Sequence, residues 1–150
     1  MKRLMVLLAV LSLGIAGSAC GSDAPKASPS ATESDDTSVD TVEKDFSIAV
    51  SPTSSSTRKV TFKITNQGPT AHEFVVFKTD LDPASLPLIA DGTAVNEDGA
   101  GVTHIDEKED IAKDATTTLS LTLQPGKYIL ICNLPTHYKL GMRAPFTVSS

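Results

Sequence analysis

From Asp45 onward, large apolar side chains recur at every second residue. Phe46, Ile48 and Val50 come first, then Val60, Phe62 and Ile64, then Leu119, Leu121 and Leu123. Each set reads as a strand with one face on a core and the other in water. HEFVVF (72–77) and KYILIC (127–132) are continuously apolar instead, as strands covered on both faces are. APFTV supplies a last strand near the C-terminus. Asn66-Gln67-Gly68-Pro69 and Gln124-Pro125-Gly126 punctuate these runs as turns. Short strands with turns between them, over roughly a hundred residues, predict an all-β antiparallel sandwich.

Two segments break the alternation. Residues 80–114 hold Pro83, Pro87, Gly92, Gly99 and Gly101, and the acidic run Asp106, Glu107, Glu109 and Asp110. They are expected as one long excursion before the last strands, with a helical turn near DPASLP. Residues 20–42 are rich in Ser, Asp, Pro, Ala and Thr and poor in large apolar groups. Such a stretch buries too little surface to offset its ordering entropy. It is expected as a disordered acidic tether leading into a domain over residues 43–150.

Residues 1–19 differ again. Lys2 and Arg3 precede the unbroken apolar run LMVLLAVLSLGIAG, which is short and N-terminal, so a signal peptide for export is expected. GSAC (17–20) resembles a bacterial lipobox, which implies that Cys20 becomes the first mature residue and carries lipid. Gly17 departs from the aliphatic residue usual there, and the small residues before Cys20 also suit an ordinary signal peptidase. The expectation is a lipoprotein on the outer face of the cytoplasmic membrane; the alternative is a periplasmic or secreted protein.

With Lys2 and Arg3 taken from the thirteen basic residues, eleven face eighteen acidic ones, a net charge of −7 beyond Cys20. That argues against nucleic acid as a partner and against electrostatic adhesion to anionic headgroups. Membrane attachment would rest on lipid at Cys20.

Cys20 and Cys132 are the two cysteines. With Cys20 lipidated, Cys132 is a lone thiol in an oxidising compartment, a liability unless buried or bound. A Cys20–Cys132 disulfide is the alternative. CNLPTHYKLGM (132–142) sets a thiol, the His137 imidazole and the Met142 thioether in one loop. His72 opens one doubly covered strand and Cys132 ends the other, so strand ends at one pole of a sandwich would bring them together. Two His and one Cys in a trigonal set, with a weak axial Met, is the donor combination of blue-copper sites. Thiolate and thioether favour Cu(I), while imidazoles keep Cu(II) acceptable. Zinc rarely takes Met, and hard cations want oxygen. His104, the remaining histidine, lies beside the acidic run and is expected in solvent, with a weak second metal site as the alternative.

At these residues the chain resembles a cupredoxin, the plastocyanin and azurin family of type 1 copper proteins. The resemblance covers about residues 43–150, and is carried by His72 in NQGPTAHEF and by Cys132, His137 and Met142 in a C-x4-H-x4-M loop. It is nearer to small bacterial cupredoxin-domain proteins, sulfocyanin-like ones included, than to plastocyanin or azurin alone. It implies a Greek-key β-sandwich holding one type 1 copper. Cys132 would be the strong equatorial ligand, His72 and His137 would complete the plane, and Met142 would be axial. It also implies an electron port at His137, inside an apolar collar of Leu134, Pro135, Tyr138, Leu140 and Gly141 where a redox protein docks; the alternative is that these residues only close the end of the sandwich. Acidic residues 106–110 would steer a basic partner, or form a solvated loop.

The implied function is one-electron carriage by the Cu(I)/Cu(II) couple and not enzymatic catalysis. The chain has no His-x-His pair and a single spare histidine for the further sites that copper oxidases use. A copper-trafficking or copper-sequestering lipoprotein is one alternative, and a metal-free structural module another. Two positions depart from the family. Glu73 stands where Asn usually ties the ligand loops together, and Asn133 is expected to supply that bridge from the other side. Thr136 stands where many relatives have Gly; Thr suits positive φ poorly, so the loop is expected to differ there.

Overall fold

The computed structural model describes residues 35–149, so the expected signal peptide, the lipidation site Cys20 and the tether up to residue 34 lie outside it. The described elements run β1 (Asp36–Lys44), β2 (Ser47–Ser51), β3 (Ser54–Ser55), β4 (Lys59–Asn66), β5 (His72–Thr79), β6 (Val102–Ile111), β7 (Thr116–Thr122), β8 (Gly126–Ile131), the helical turn α1 (His137–Leu140) and β9 (Arg143–Val148). One sheet has the order β2-β1-β4-β7 and the other β3-β9-β8-β5-β6. β1 runs parallel to β4, and β3 runs parallel to β9. The other strand pairs are antiparallel, so the sandwich is built from mixed sheets where purely antiparallel ones were expected. No described helix is long and apolar enough to cross a membrane.

Period-two patterning accounts for the core. Val60, Phe62 and Ile64 of β4 point inward and meet Phe74 and Val76, Leu130, and Phe146 of the opposite sheet. Phe62 packs against Phe74 and Phe146 at ring-centroid distances of 5.4 and 5.3 Å. Each such side chain contributes about 1.5–3 kcal/mol when fully buried. The odd residues Val75, Phe77, Ile129 and Ile131 face outward, and Leu86, Val95 and Tyr138 cover them. That cover explains why β5 and β8 are apolar on both faces.

Three further expectations need correction. The tether was expected to run to residue 42, yet β1 is a strand from Asp36 onward and pairs along its length with β4. Its inward residues are Val39, Thr41 and Glu43, all buried. Polar side chains at two of the inward positions hide the strand from a hydrophobicity reading. The excursion expected over 80–114 is also shorter, because residues 102–111 form β6, the edge strand beside β5. Its pairing with β5 shifts register twice, between His72 and Phe74 and between Val76 and Phe77. Bulges of this kind break the period of two, so the acidic run reads as loop while lying in a strand. Residues 80–101 remain irregular. A turn closed by the Ser85 N–H on the Asp82 carbonyl (2.9 Å) replaces the expected helical turn.

Candidate metal centre

His72 is the first residue of β5 and is fully buried. The turn before it is organised by Asn66, also buried. Asn66 Oδ1 accepts the Gly68 N–H (2.8 Å), while its Nδ2 donates to the carbonyls of Thr70 and Ile111 (2.8 Å each). This Asx-type closure fixes where the chain enters β5. Behind the His72 ring, Nε2 lies 2.9 Å from Asp45 Oδ1. The ring N–H points off that oxygen, so the pair is a close polar approach and not an aligned hydrogen bond. Thr70 Oγ1 donates to the same oxygen at 3.4 Å.

The other three donors come from the loop after β8. The Leu134 carbonyl accepts the His137 N–H (3.0 Å), and the Thr136 carbonyl accepts the Leu140 N–H (3.0 Å). Met142 ties the loop together: its N–H donates to the His137 carbonyl (3.0 Å), and its carbonyl accepts the Cys132 N–H (3.1 Å). Met142 and Cys132 are completely buried. Thr136 has φ 73°, in the left-handed region, so the loop does not avoid the conformation expected of Gly; Thr adopts it. The Thr136 N–H is bonded to the Thr93 carbonyl (2.7 Å), one of the contacts that hold it there.

Cys132 Sγ lies 3.9 Å from His72 Nδ1 and 3.3 Å from His137 Nδ1. Donors about 2.1 Å from a shared ion, the usual imidazole–metal length, stand about 3.6 Å apart in a trigonal plane. The two gaps bracket that spacing, and both imidazoles present the same nitrogen to the sulfur. The Glu73 N–H donates to Sγ at 3.4 Å, so Glu73 reaches the thiol through its main chain. Burial pushes the thiol up to about 11, with Glu43 and Glu73 adding to the rise and the Glu73 and Leu134 N–H groups opposing it. Burial also lowers His72, against the pull of Asp45. The pocket therefore favours neutral donors, and the thiol gives up its proton on metal binding. A buried thiol between two imidazole nitrogens, with a buried thioether in the same loop, fits one copper ion of the type 1 class.

The structure revises several neighbours. Asn133 does not bridge to the His72 turn. Its Oδ1 accepts the Val95 N–H (2.7 Å), and its Nδ2 donates to the Val95 carbonyl (3.1 Å) and to Glu97 Oε1 (2.9 Å), binding the ligand loop to the 80–101 excursion. Tyr138 is not part of a surface collar. It is buried, and its hydroxyl accepts the Leu86 N–H (2.9 Å) and donates to the Pro83 carbonyl (2.8 Å). Phe46, expected in a core strand, lies in the turn between β1 and β2 with its ring edge-on to His137 (centroids 5.2 Å, 84°). Asp45, Phe46 and Gly68 escape sequence reasoning because no spacing links them to the ligands. The faintest available signal is Gly68 itself, four residues before His72.

The sequence model of the sulfocyanin (SoxE) domain matches residues 39–150. Among curated proteins none matches the sequence. Solved structures with a similar fold include the dithionite-reduced auracyanin of Roseiflexus castenholzii (20% identity, 78% of this chain and 98% of that one, TM-score 0.51). Auracyanin A of Chloroflexus aurantiacus, described as a "blue" copper protein, is similar at 18% identity, 76% of this chain and 99% of that one, with TM-score 0.52. Two rusticyanin variants are similar at 16% identity, 77% and 79% coverage and TM-score 0.55. At these identities the structural likeness is one of fold. The domain match spans the sandwich and the loop that closes the His72–Cys132–His137 cluster, and the chain belongs to the sulfocyanin (SoxE) domain family.

Proposed function

We propose that this protein is an exported one-electron carrier, anchored by lipid at Cys20 and devoid of enzymatic activity. The observation that carries the electron-transfer reading is the convergence of His72 Nδ1 and His137 Nδ1 on Cys132 Sγ in a buried pocket. Bound copper supplies the Cu(I)/Cu(II) couple. The protein supplies a frame that moves little when charge changes. His72 is fixed by β5, Cys132 by the end of β8, and Met142 by main-chain bonds to both loop ligands. A mixed set of soft sulfur and borderline nitrogen donors suits both oxidation states, which keeps reorganisation small.

His137 is the half-buried ligand and offers the route outward. Phe46 and Leu140 beside it are 40% and 56% exposed. They give an apolar rim on which a redox protein can exclude water during contact. For export and anchoring, the support is sequence alone: Lys2 and Arg3, the apolar run after them, and Cys20 in GSAC.

A visible absorption spectrum with copper quantitation, on protein lacking residues 1–20, tests the function. An intense blue Cu(II) state that cycles reversibly with chemical reductants supports carriage. Tight Cu(I) retention that resists oxidation would favour trafficking, and failure to take copper would leave a structural module. Metabolic labelling with a radiolabelled fatty acid tests the anchor, with Cys20→Ala expected to abolish incorporation.

A further inference from the structure

Outside the Cys132 cluster, three more metal-binding side chains converge: Glu97, His104 and Glu107. Glu97 comes from the excursion, and the other two come from β6. Residues three apart on a regular strand point to opposite faces. Here the register shift between Val76 and Phe77 changes that. His104 pairs with Phe77 and Glu107 with Val75, so both share the outward face of β5. The bulge at Ile105 is what brings an imidazole and a carboxylate to one side of an edge strand.

The distances suit a shared ion better than a direct pair. His104 Nε2 is 3.8 Å from Glu97 Oε2 and 3.5 Å from Glu107 Oε2, longer than a charge-assisted hydrogen bond. Donors about 2.1 Å from one ion in tetrahedral geometry stand about 3.4 Å apart. All three ligand atoms lie within 4.8 Å of one another. The parts are also oriented. Glu97 Oε1 accepts from Asn133 Nδ2 (2.9 Å), which leaves Oε2 toward His104, and the His104 ring packs edge-on to Phe77 (5.6 Å). Each side chain is about one-third exposed, so an ion could reach them and keep water as a further ligand.

We propose that Glu97, His104 and Glu107 form a second cation site that takes a divalent ion of borderline hardness, with Zn2+ as the type. One imidazole with two carboxylates matches zinc's nitrogen and oxygen preference, whereas Mg2+ and Ca2+ want oxygen throughout. Because the ligands join the excursion to the edge strand, a bound ion cross-links residues 80–101 to β6. Zn2+ binding should therefore raise the thermal midpoint.

Calorimetric titration of Zn2+ into the copper-loaded protein tests the site with the Cys132 cluster occupied. One equivalent should bind with the blue spectrum unchanged, and Mg2+ should give no comparable heat. Glu107→Gln and His104→Ala should each weaken binding by about tenfold or more, with near-UV circular dichroism unchanged. If the chain takes no copper, Zn2+ meets both clusters, and the equivalent lost in His104→Ala still isolates this one. Absence of Zn2+ binding, or equal binding by wild type and both variants, overturns the proposal.

Discussion

His72 Nε2 lies 2.9 Å from Asp45 Oδ1, and the missing side chain of Gly68 is what leaves room for them to meet. The carboxylate lies beside the outer nitrogen of a copper ligand without an aligned hydrogen bond, and its negative charge there favours the tautomer with the proton on Nε2 and Nδ1 free to face Cys132. Such partners raise ligand basicity and stabilise the more positive oxidation state. Asp45→Asn is therefore expected to raise the reduction potential and to weaken Cu(II) binding by about tenfold, with the blue colour retained. Protein-film voltammetry reads the potential directly. An unchanged potential would remove Asp45 from control of the centre.

Gly68 can be tested separately. A Cβ at this position would lie 2.5 Å from His72 Nε2 and 2.9 Å from Asp45 Oδ1. Neither neighbour is the loose end of a long chain, so the His72 ring must move. Gly68→Ala should cost about 1–3 kcal/mol, as overpacked sites do. Urea unfolding of the metal-free protein measures that cost, and a copper titration should show weakened binding alongside it. A variant as stable as wild type, with unaltered copper affinity, would mean that the turn gives way easily.

Thr136 makes the opposite prediction. A β-branched residue at φ 73° carries strain of about 1–2 kcal/mol. Glycine removes the strain but adds about 0.5–1 kcal/mol of chain entropy to the unfolded state. Thr136→Gly should therefore stabilise the protein by up to about 1.5 kcal/mol, and the main-chain bond from residue 136 to the Thr93 carbonyl should survive. A lowered urea midpoint would show that the threonine side chain contributes more than its backbone costs.

Two substitutions separate the copper centre from the second cluster. Cys132→Ser should abolish the blue absorption, because the hydroxyl cannot replace a thiolate as strong equatorial ligand. His104→Ala should leave that absorption unchanged, since His104 lies on the outer face of β6 and has no contact with the Cys132 cluster. A blue state retained in Cys132→Ser would end the assignment of the ligand set.

The ligands were legible because their side chains are chemically rare and their order is constrained. Cys132, His137 and Met142 share a loop, and His72 opens a strand whose continuous apolarity marks it as central. The surrounding groups were illegible for physical reasons. Asp45 acts through an approach set by the β1–β2 turn, and Gly68 through the space it leaves empty. β1 was hidden by Thr41 and Glu43 at inward positions, and β6 by two bulges that scramble its period. Tyr138 reads as collar because it stands beside His137 among the apolar residues of the loop, while its ring turns inward to anchor the excursion.

Glu43 gives the pH dependence of the fold. It is completely buried on the inward face of β1, and neither carboxylate oxygen meets a protein donor. Burial, with Glu73 adding to it, pushes its carboxyl up to about 8 from 4.5. The folded chain therefore holds a proton that the unfolded chain releases above about pH 4.5. The contribution of Glu43 to stability should be greatest below that value, fall as pH rises, and level off above about 8, while His72, lowered by burial, works in the opposite direction below about 6.5. The total loss is on the order of a few kcal/mol. Glu73 titrates in an overlapping window, pushed up to about 7 by burial and by Glu107, Glu97, Glu109 and Asp110. Urea unfolding of the metal-free protein across pH 4–9 should show the decline. Glu43→Gln should flatten most of it, and Glu43→Gln with Glu73→Gln should flatten it further. Because His72 opposes the trend, the difference between wild type and Glu43→Gln isolates the carboxyl, and an unaltered slope in the variant would mean that Glu43 is solvated or paired in solution.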